Sequence, residues 1–145
     1  MMTAFACLYN IKTNVLTYSN ASHDFPIIMP PLTEAKKIKK NDLNFLSESR
    51  SKRLGDDPKA VYVNTSETLA PGSVLFAYTD GLIDAVNMEG TAFGERNMMK
   101  IAIDSINRGA SKNLLDIFQN QISKFTEDKE QPDDITFLGL YIKSE

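Results

Sequence analysis

The sequence predicts an α+β fold built from antiparallel layers, and three observations predict it. Short β-prone runs separated by turn residues fill the chain up to residue 79. Two apolar stripes at helical spacing follow between Met98 and Phe125. A last β-prone run, Ile135–Ile142, closes the chain, so strands, a helix pair and a returning strand succeed one another.

Thr3–Tyr9 and Val15–Asn20 read as two strands joined by Asn10-Ile11-Lys12-Thr13-Asn14, whose Asn and Thr residues suit a hairpin turn. Phe25–Met29 is a short third run, stopped by Pro30-Pro31 because proline has no N–H for a ladder. Residues 32–60 are polar and aperiodic, and read as loops around one or two short strands. Val61, Val63 and Thr65 alternate with Tyr62 and Asn64 as on a half-buried strand. Ala70-Pro71-Gly72-Ser73 is turn chemistry. Val74–Thr79 is nearly all apolar, as a strand covered on both faces would be, and Asp80-Gly81 breaks it. Met98, Met99, Ala102, Ile103 and Ile106 form one helical stripe, ended at Gly109. Ser111 stands where it would N-cap a second helix, whose stripe is Leu114, Leu115, Phe118, Ile122 and Phe125. Thr126–Pro132 reads as a charged loop.

The 145 residues are 42% hydrophobic and 24% charged, which fits one folded domain over 1–145 and excludes a disordered or fibrous chain. No apolar run approaches the roughly 20 residues needed to cross a bilayer, and Met1-Met2-Thr3-Ala4-Phe5 does not read as a signal peptide. A net charge of -3 gives no electrostatic reason to expect nucleic acid. The single cysteine, Cys7, has no internal disulfide partner, and a reducing cytoplasm is its natural setting. Strand-like alternation begins almost at the first residue, so we expect the sequence to open inside a larger fold.

The acids that could carry chemistry stand at strand ends. Asp80 follows Val74–Thr79, and Asp133 and Asp134 precede Ile135–Ile142. If the two strands are antiparallel neighbours, Asp80 and Asp133 meet at one edge of a sheet. Carboxylates held together repel unless a proton or cation lies between them, and hard oxygen donors favour Mg²⁺ or Mn²⁺. Taken singly, Asp-Gly and Asp-Asp are also ordinary turn residues.

The blocks in which these acids lie are more specific. Leu69–Ala85, with Tyr78-Thr79-Asp80-Gly81-Leu82-Ile83-Asp84 at its centre, resembles the central motif of the bacterial metal-dependent protein phosphatases (PPM), and most closely their SpoIIE/RsbU-type branch. Tyr18-Ser19-Asn20-Ala21-Ser22-His23-Asp24-Phe25-Pro26 is similar to that branch's "Y-x-N-A-G-H-x-x-P" segment. Asn87–Gly94 resembles its "N-x-x-G-x-x-F-G" lead into a helix, and Asp133-Asp134-Ile135-Thr136 its "D-D-x-T". The resemblance implies a sandwich of two antiparallel sheets with helices outside, and a two-metal site for Mn²⁺ or Mg²⁺ at one edge. It implies hydrolysis of phosphoserine on a protein of the anti-sigma-factor-antagonist type by metal-activated water, without a phospho-enzyme intermediate. Asp80 and Asp133 match the family's metal aspartates, and the resemblance carries Asp134 beside them as a third candidate metal ligand. The family's earlier "G-D-x-x-D" block, which supplies the bridging ligand, has no match; Gly55-Asp56-Asp57 lies in the wrong place and reads as a loop. Ser22 occupies a position that is usually glycine. Without the bridging carboxylate, we expect weak or absent turnover from this chain. The alternative is a catalytically degenerate module that binds a partner or self-associates.

Other residues divide between structure and function. His23, the only histidine, could orient a phosphate or water, but suits a hydrogen-bonded turn. Cys7 reads as a buried thiol, Met98 and Met99 as core, and Asp84 as a helix-start or salt-bridge residue. Lys36, Lys37, Lys39 and Lys40 around Ile38 read as a solvated edge, or as a docking point for an acidic partner. Thr3–Leu8 carries no charge, so it lacks the usual protection of an edge strand and predicts a homo-oligomer through that edge.

Overall fold

A computed structural model describes residues 1–127 and 129–143. The first sheet is built on a hairpin, β1 (Ala4–Asn10) and β2 (Val15–Ala21), paired antiparallel from Ala4↔Ala21 to Asn10↔Val15. Its turn closes through Asn14, whose φ of 55° is left-handed and whose Oδ1 accepts the Tyr9 hydroxyl at 2.6 Å. Asparagine tolerates that conformation better than other side chains, which is why the turn sits there. The far side of β2 receives β5 (Arg50–Ser51) in parallel and β6 (Thr65–Thr68) antiparallel.

The second sheet has the order β4-β3-β7-β8, all antiparallel: β3 is Ile27–Met29, β4 Asn44–Phe45, β7 Val74–Tyr78 and β8 Phe137–Tyr141. The turn into β7 has Pro71 followed by Gly72 at φ 86°, with the Ser73 amide donating to the Ala70 carbonyl at 3.1 Å. Only glycine takes that φ without strain, and proline presets the residue before it.

Leu16 and Tyr18 of β2 meet Leu75 of β7, with Leu46, Leu69 and Ile142, in a core between the sheets. The opposite face of the second sheet (Ile27, Met29, Val74, Phe76, Tyr78) packs on helices α2 (Gly94–Asn107) and α3 (Leu114–Thr126). Alternate residues of β7 therefore serve two cores, which is why that strand is apolar throughout. Phe76 stacks on Phe118 of α3 at 4.7 Å, and neither ring is exposed. Truncating such a ring costs about 3–5 kcal/mol, so Phe118→Ala would strip the contact of the helix layer with β7 of about that much. The layers are thus sheet, sheet, helices, an α+β sandwich as predicted. The outer face of the first sheet is open to solvent, with Leu8 73% exposed.

Helix α2 ends as its sequence suggests. Gly109 has φ 72°, its amide reaches Ile106 O and that of Ala110 reaches Ser105 O, the paired bonds of a Schellman cap. Three local expectations are corrected. Val61–Asn64 is not strand; the strand is Thr65–Thr68, placed where it can pair with β2. Ser111 makes no side-chain cap; it opens a 3-10 turn, Ser111–Asn113, that leads into α3. Asp80-Gly81 does not simply end a strand, since Asp80–Asp84 forms a short helix, α1.

Candidate functional site

Strands β3, β7 and β8 deliver the candidate residues to one edge. Ile27↔Phe76 and Tyr78↔Phe137 are in register. Residues just before β3, just after β7 and just before β8 therefore lie side by side. A clasp joins the last two. The Thr79 amide donates to Thr136 O at 3.0 Å. The Thr79 hydroxyl accepts the Thr136 amide at 3.1 Å and faces Asp134 O at 3.3 Å, to which it donates. Gly81 completes the contact, since a Cβ there would collide with the Asp134 carbonyl. The backbone carrying Asp80 is thereby pressed against that carrying Asp133 and Asp134.

A second clamp holds the approach to Asp133. The Gln131 side-chain amide accepts from Val86 N at 2.7 Å and donates to Val86 O at 3.1 Å. Lys129 Nζ donates to Asn87 O at 2.9 Å. Asn87 itself closes the loop before α2, its Oδ1 accepting the amides of Glu89 and Thr91. The "N-x-x-G" block is in this way tied to the segment that leads into "D-D-x-T".

The carboxylates are all exposed. Asp80 Oδ1 accepts the Gly81 amide at 3.0 Å, and Asp133 Oδ1 the Asp134 amide at 2.7 Å. Asp24 joins them from the start of β3. Its carboxyl is held above the ordinary carboxylate range, first by partial burial, then by the charge of Asp80; His23 opposes this, and Asp84 and Glu95 add to it. The Tyr78 phenol is pushed up by burial and then by Asp24 and Glu95. This edge is an accumulation of negative charge, the condition that favours a cation.

His23 is part of the turn that presents Asp24. Buried Asn20 accepts the His23 amide on Oδ1 at 2.8 Å and donates from Nδ2 to His23 O at 3.0 Å. His23 Nδ1 lies 2.8 Å from Asp24 O. Ser22, where the family has glycine, takes φ 56° and donates from Oγ to Ser51 O at 2.7 Å. The departure is therefore accommodated in a glycine-type conformation.

The segments that carry Asp80, Asp133 and Asp134 thus meet at one edge, because β7 and β8 are antiparallel neighbours, while Asp24, Thr79, Gly81 and Gln131 were missed as contributors. Thr79 and Gly81 lie inside the "T-D-G" motif, but their contacts are long-range; Asp24 had no local signal beyond its position in the histidine segment. Two readings are corrected. Asp84 ends α1 and enters no ion pair among the described residues, acting instead through its charge on Asp24. Cys7 is exposed because β1 is an edge strand that the second sheet does not cover. Asp56 and Asp57 pair with Arg53 and Lys52 in a loop, as expected.

The donors at this edge are carboxylate oxygens suited to Mg²⁺ or Mn²⁺. Among the described residues no group of three or more acidic, His or Cys side chains is gathered to hold an ion. The fit is that of a partial ligand set.

The family Stage II sporulation protein E (SpoIIE) matches residues 1–143. The chain is 26% identical over 144 residues to protein IcfG of Synechocystis sp., covering 97% of this chain and 21% of IcfG. Its fold is similar to the SiaA-PP2C domain of Pseudomonas aeruginosa, with a TM-score of 0.72 at 20% identity over 97% of this chain and 51% of that one. It is similar to the RsbU and RsbW domains of a Mycobacterium tuberculosis protein, with a TM-score of 0.67 at 18% identity over 97% of this chain and 36% of that one. For the phosphatase domain of the cell fate determinant SpoIIE from Bacillus subtilis, presoaked with Mn, the TM-score is 0.62 at 12% identity, over 99% of this chain and 57% of that one. The chain thus spans about half or less of most of these relatives. With the match running from its first residue to residue 143, the chain belongs to the SpoIIE family and has the fold of PP2C-type phosphatase domains.

Proposed function

We propose that residues 1–145 act as one domain in metal-assisted hydrolysis of phosphoserine on a regulatory protein of the anti-sigma-factor-antagonist type. The observation that carries this reading is the clasp of Thr79 and Gly81 on Asp134 and Thr136. It brings the "T-D-G" and "D-D-x-T" segments of a SpoIIE-family chain to one acidic edge. Asp80 and Asp133 would hold Mn²⁺ or Mg²⁺, with Asp134 beside them. Such an ion supplies an activated water and neutralises charge on the phosphoryl oxygens. Asp24 adds field rather than a matched ligand. Two matched carboxylates are a weak hold, so turnover by these residues is slow. The setting is cytoplasmic, where the exposed Cys7 stays reduced. Among the described residues no helix is long and apolar enough to cross a membrane.

Release of phosphate from a phosphoserine peptide with Mn²⁺ tests this. Slow turnover lost in Asp80→Asn supports it; brisk turnover that survives Asp80→Asn refutes the assignment.

A degenerate, partner-binding or self-associating module is the second reading. It is favoured by the two carboxylates being turned onto their own following amides. It is also favoured by the uncharged edge strand β1, whose outer residues Ala6 and Leu8 are exposed. Sedimentation at micromolar concentration should then give a dimer or larger species, weakened by Cys7→Lys. A monomer at high concentration would remove self-association from this reading.

A further inference from the structure

The lysine-rich segment at 36–40 is fastened to helix α2. Ile38 is buried, its amide donates to Asn107 Oδ1 at 2.8 Å, and its carbonyl accepts from Asn107 Nδ2 at 2.9 Å. One side chain at the end of α2 thus satisfies both backbone groups of a residue distant in sequence. Lys36 is neutralised by Asp42, which also accepts the Lys39 amide at 2.8 Å. Lys37, Lys39 and Lys40 remain exposed around this fixed point.

Lys40 reaches the near wall of a groove of about 670 Å³ along α2, where Arg96 and Lys100 stand over a floor of Met99 and Ile103. Through Lys100 the groove continues into one of about 800 Å³ between α2 and α3, lined by the cations Arg108 and Lys124 and by apolar Phe93, Ile101 and Phe125. Lys40, Arg96, Lys100 and Arg108 enter no ion pair among the described residues. Two carboxylates, Glu95 and Asp104, lie among them. The strip is therefore cationic on a chain whose net charge is -3. Glu95 also acts on Asp24, so the strip starts beside the acidic edge and runs away from it.

We propose that this strip docks an acidic segment of the substrate protein, one whose carboxylates alternate with apolar side chains. The cations supply complementary charge, which steers encounter and fixes register. The apolar floor supplies burial. A nucleic acid is disfavoured, because its binding is carried by phosphate contacts and the apolar floor offers nothing to a sugar-phosphate backbone, whereas it buries the apolar side chains of a peptide. Pinning by Asn107 means that the lysine segment is ordered before the partner arrives, which lowers the cost of binding. This inference rests on the phosphatase reading only for the identity of the partner.

The probe is a fluorescein-labelled synthetic peptide of repeating Leu-Glu-Glu units, followed by fluorescence anisotropy without metal. Wild type should bind it, and binding should weaken as salt rises. Lys40→Glu/Lys100→Glu should weaken it by about tenfold or more, and Arg96→Glu/Arg108→Glu likewise. Lys12→Glu, on the distant hairpin, should leave it unchanged. Unaltered melting temperatures would show that both double variants are folded. Equal binding by wild type and both double variants would overturn the proposal, as would tighter binding of an oligo-dT of equal charge. Asp80→Asn should bind the peptide as wild type does. Peptide binding that maps to the strip in a protein without Mn²⁺-dependent turnover would reject the phosphatase reading and keep the docking strip.

Discussion

The α-carbon of Gly81 lies against the peptide carbonyl of Asp134, so closely that a β-carbon would come within 2.9 Å of the carbonyl carbon and overlap its oxygen. These residues stand in different motifs, Gly81 in α1 and Asp134 in the segment that leads into β8. Gly81→Ala should push the 133–136 segment away from α1 and destabilise the fold by about 1–3 kcal/mol, the usual cost of overpacking. Urea denaturation measures it. A loss well below that range would mean that the segment yields freely and that the clasp is not tight.

Thr79 should behave differently from its isosteres. Thr79→Val keeps shape but leaves the Thr136 amide and the Asp134 carbonyl without the hydroxyl. We expect a loss of about 1–2 kcal/mol from these bonds. Thr79→Ser should recover most of it. Equal stability of the two variants would deny the hydroxyl its part.

At Ser22 two effects compete. A left-handed serine costs about 1 kcal/mol or more, and its hydrogen bond to Ser51 O returns about as much. Ser22→Gly should therefore be near neutral, while Ser22→Ala keeps the strain, loses the bond and should cost about 1 kcal/mol. The order of the two melting temperatures checks this, with glycine above alanine.

The raised Asp24 carboxyl gives a pH signature. Its folded form holds a proton at pH values where the unfolded chain has already released it. Its contribution to stability is therefore full below the ordinary carboxylate pKa and is lost as pH rises through the raised value. Asp24→Asn should melt higher than wild type at neutral pH, with the gap closing at acid pH. A constant gap across that window would contradict the charge crowding at this edge.

Much of this was legible in the sequence because it rests on local chemistry. The Asn-rich hairpin turn, the Pro71-Gly72 turn, the Gly109 cap and the stripe of α3 each follow from residue type and spacing. The failures rest on partners. Val61 and Val63 alternate as a strand would, yet they are 73% and 58% exposed, because β2 pairs with Thr65–Thr68 and buried Leu69 anchors the end of that pairing. The two-residue strands β4 and β5 have no periodicity to detect. At the site, the aspartates were visible as motif residues. What holds them was not, because Thr79 meets residues 55 and 57 positions away.

The most direct test of the account is the thermal response to Mn²⁺. A ligand that binds only the folded state raises its melting temperature by mass action. Wild type should shift upward at millimolar Mn²⁺, and Asp80→Ala and Asp133→Ala should each abolish the shift. An equal shift in wild type and both variants would contradict the claim that Asp80 and Asp133 form one cation-binding edge.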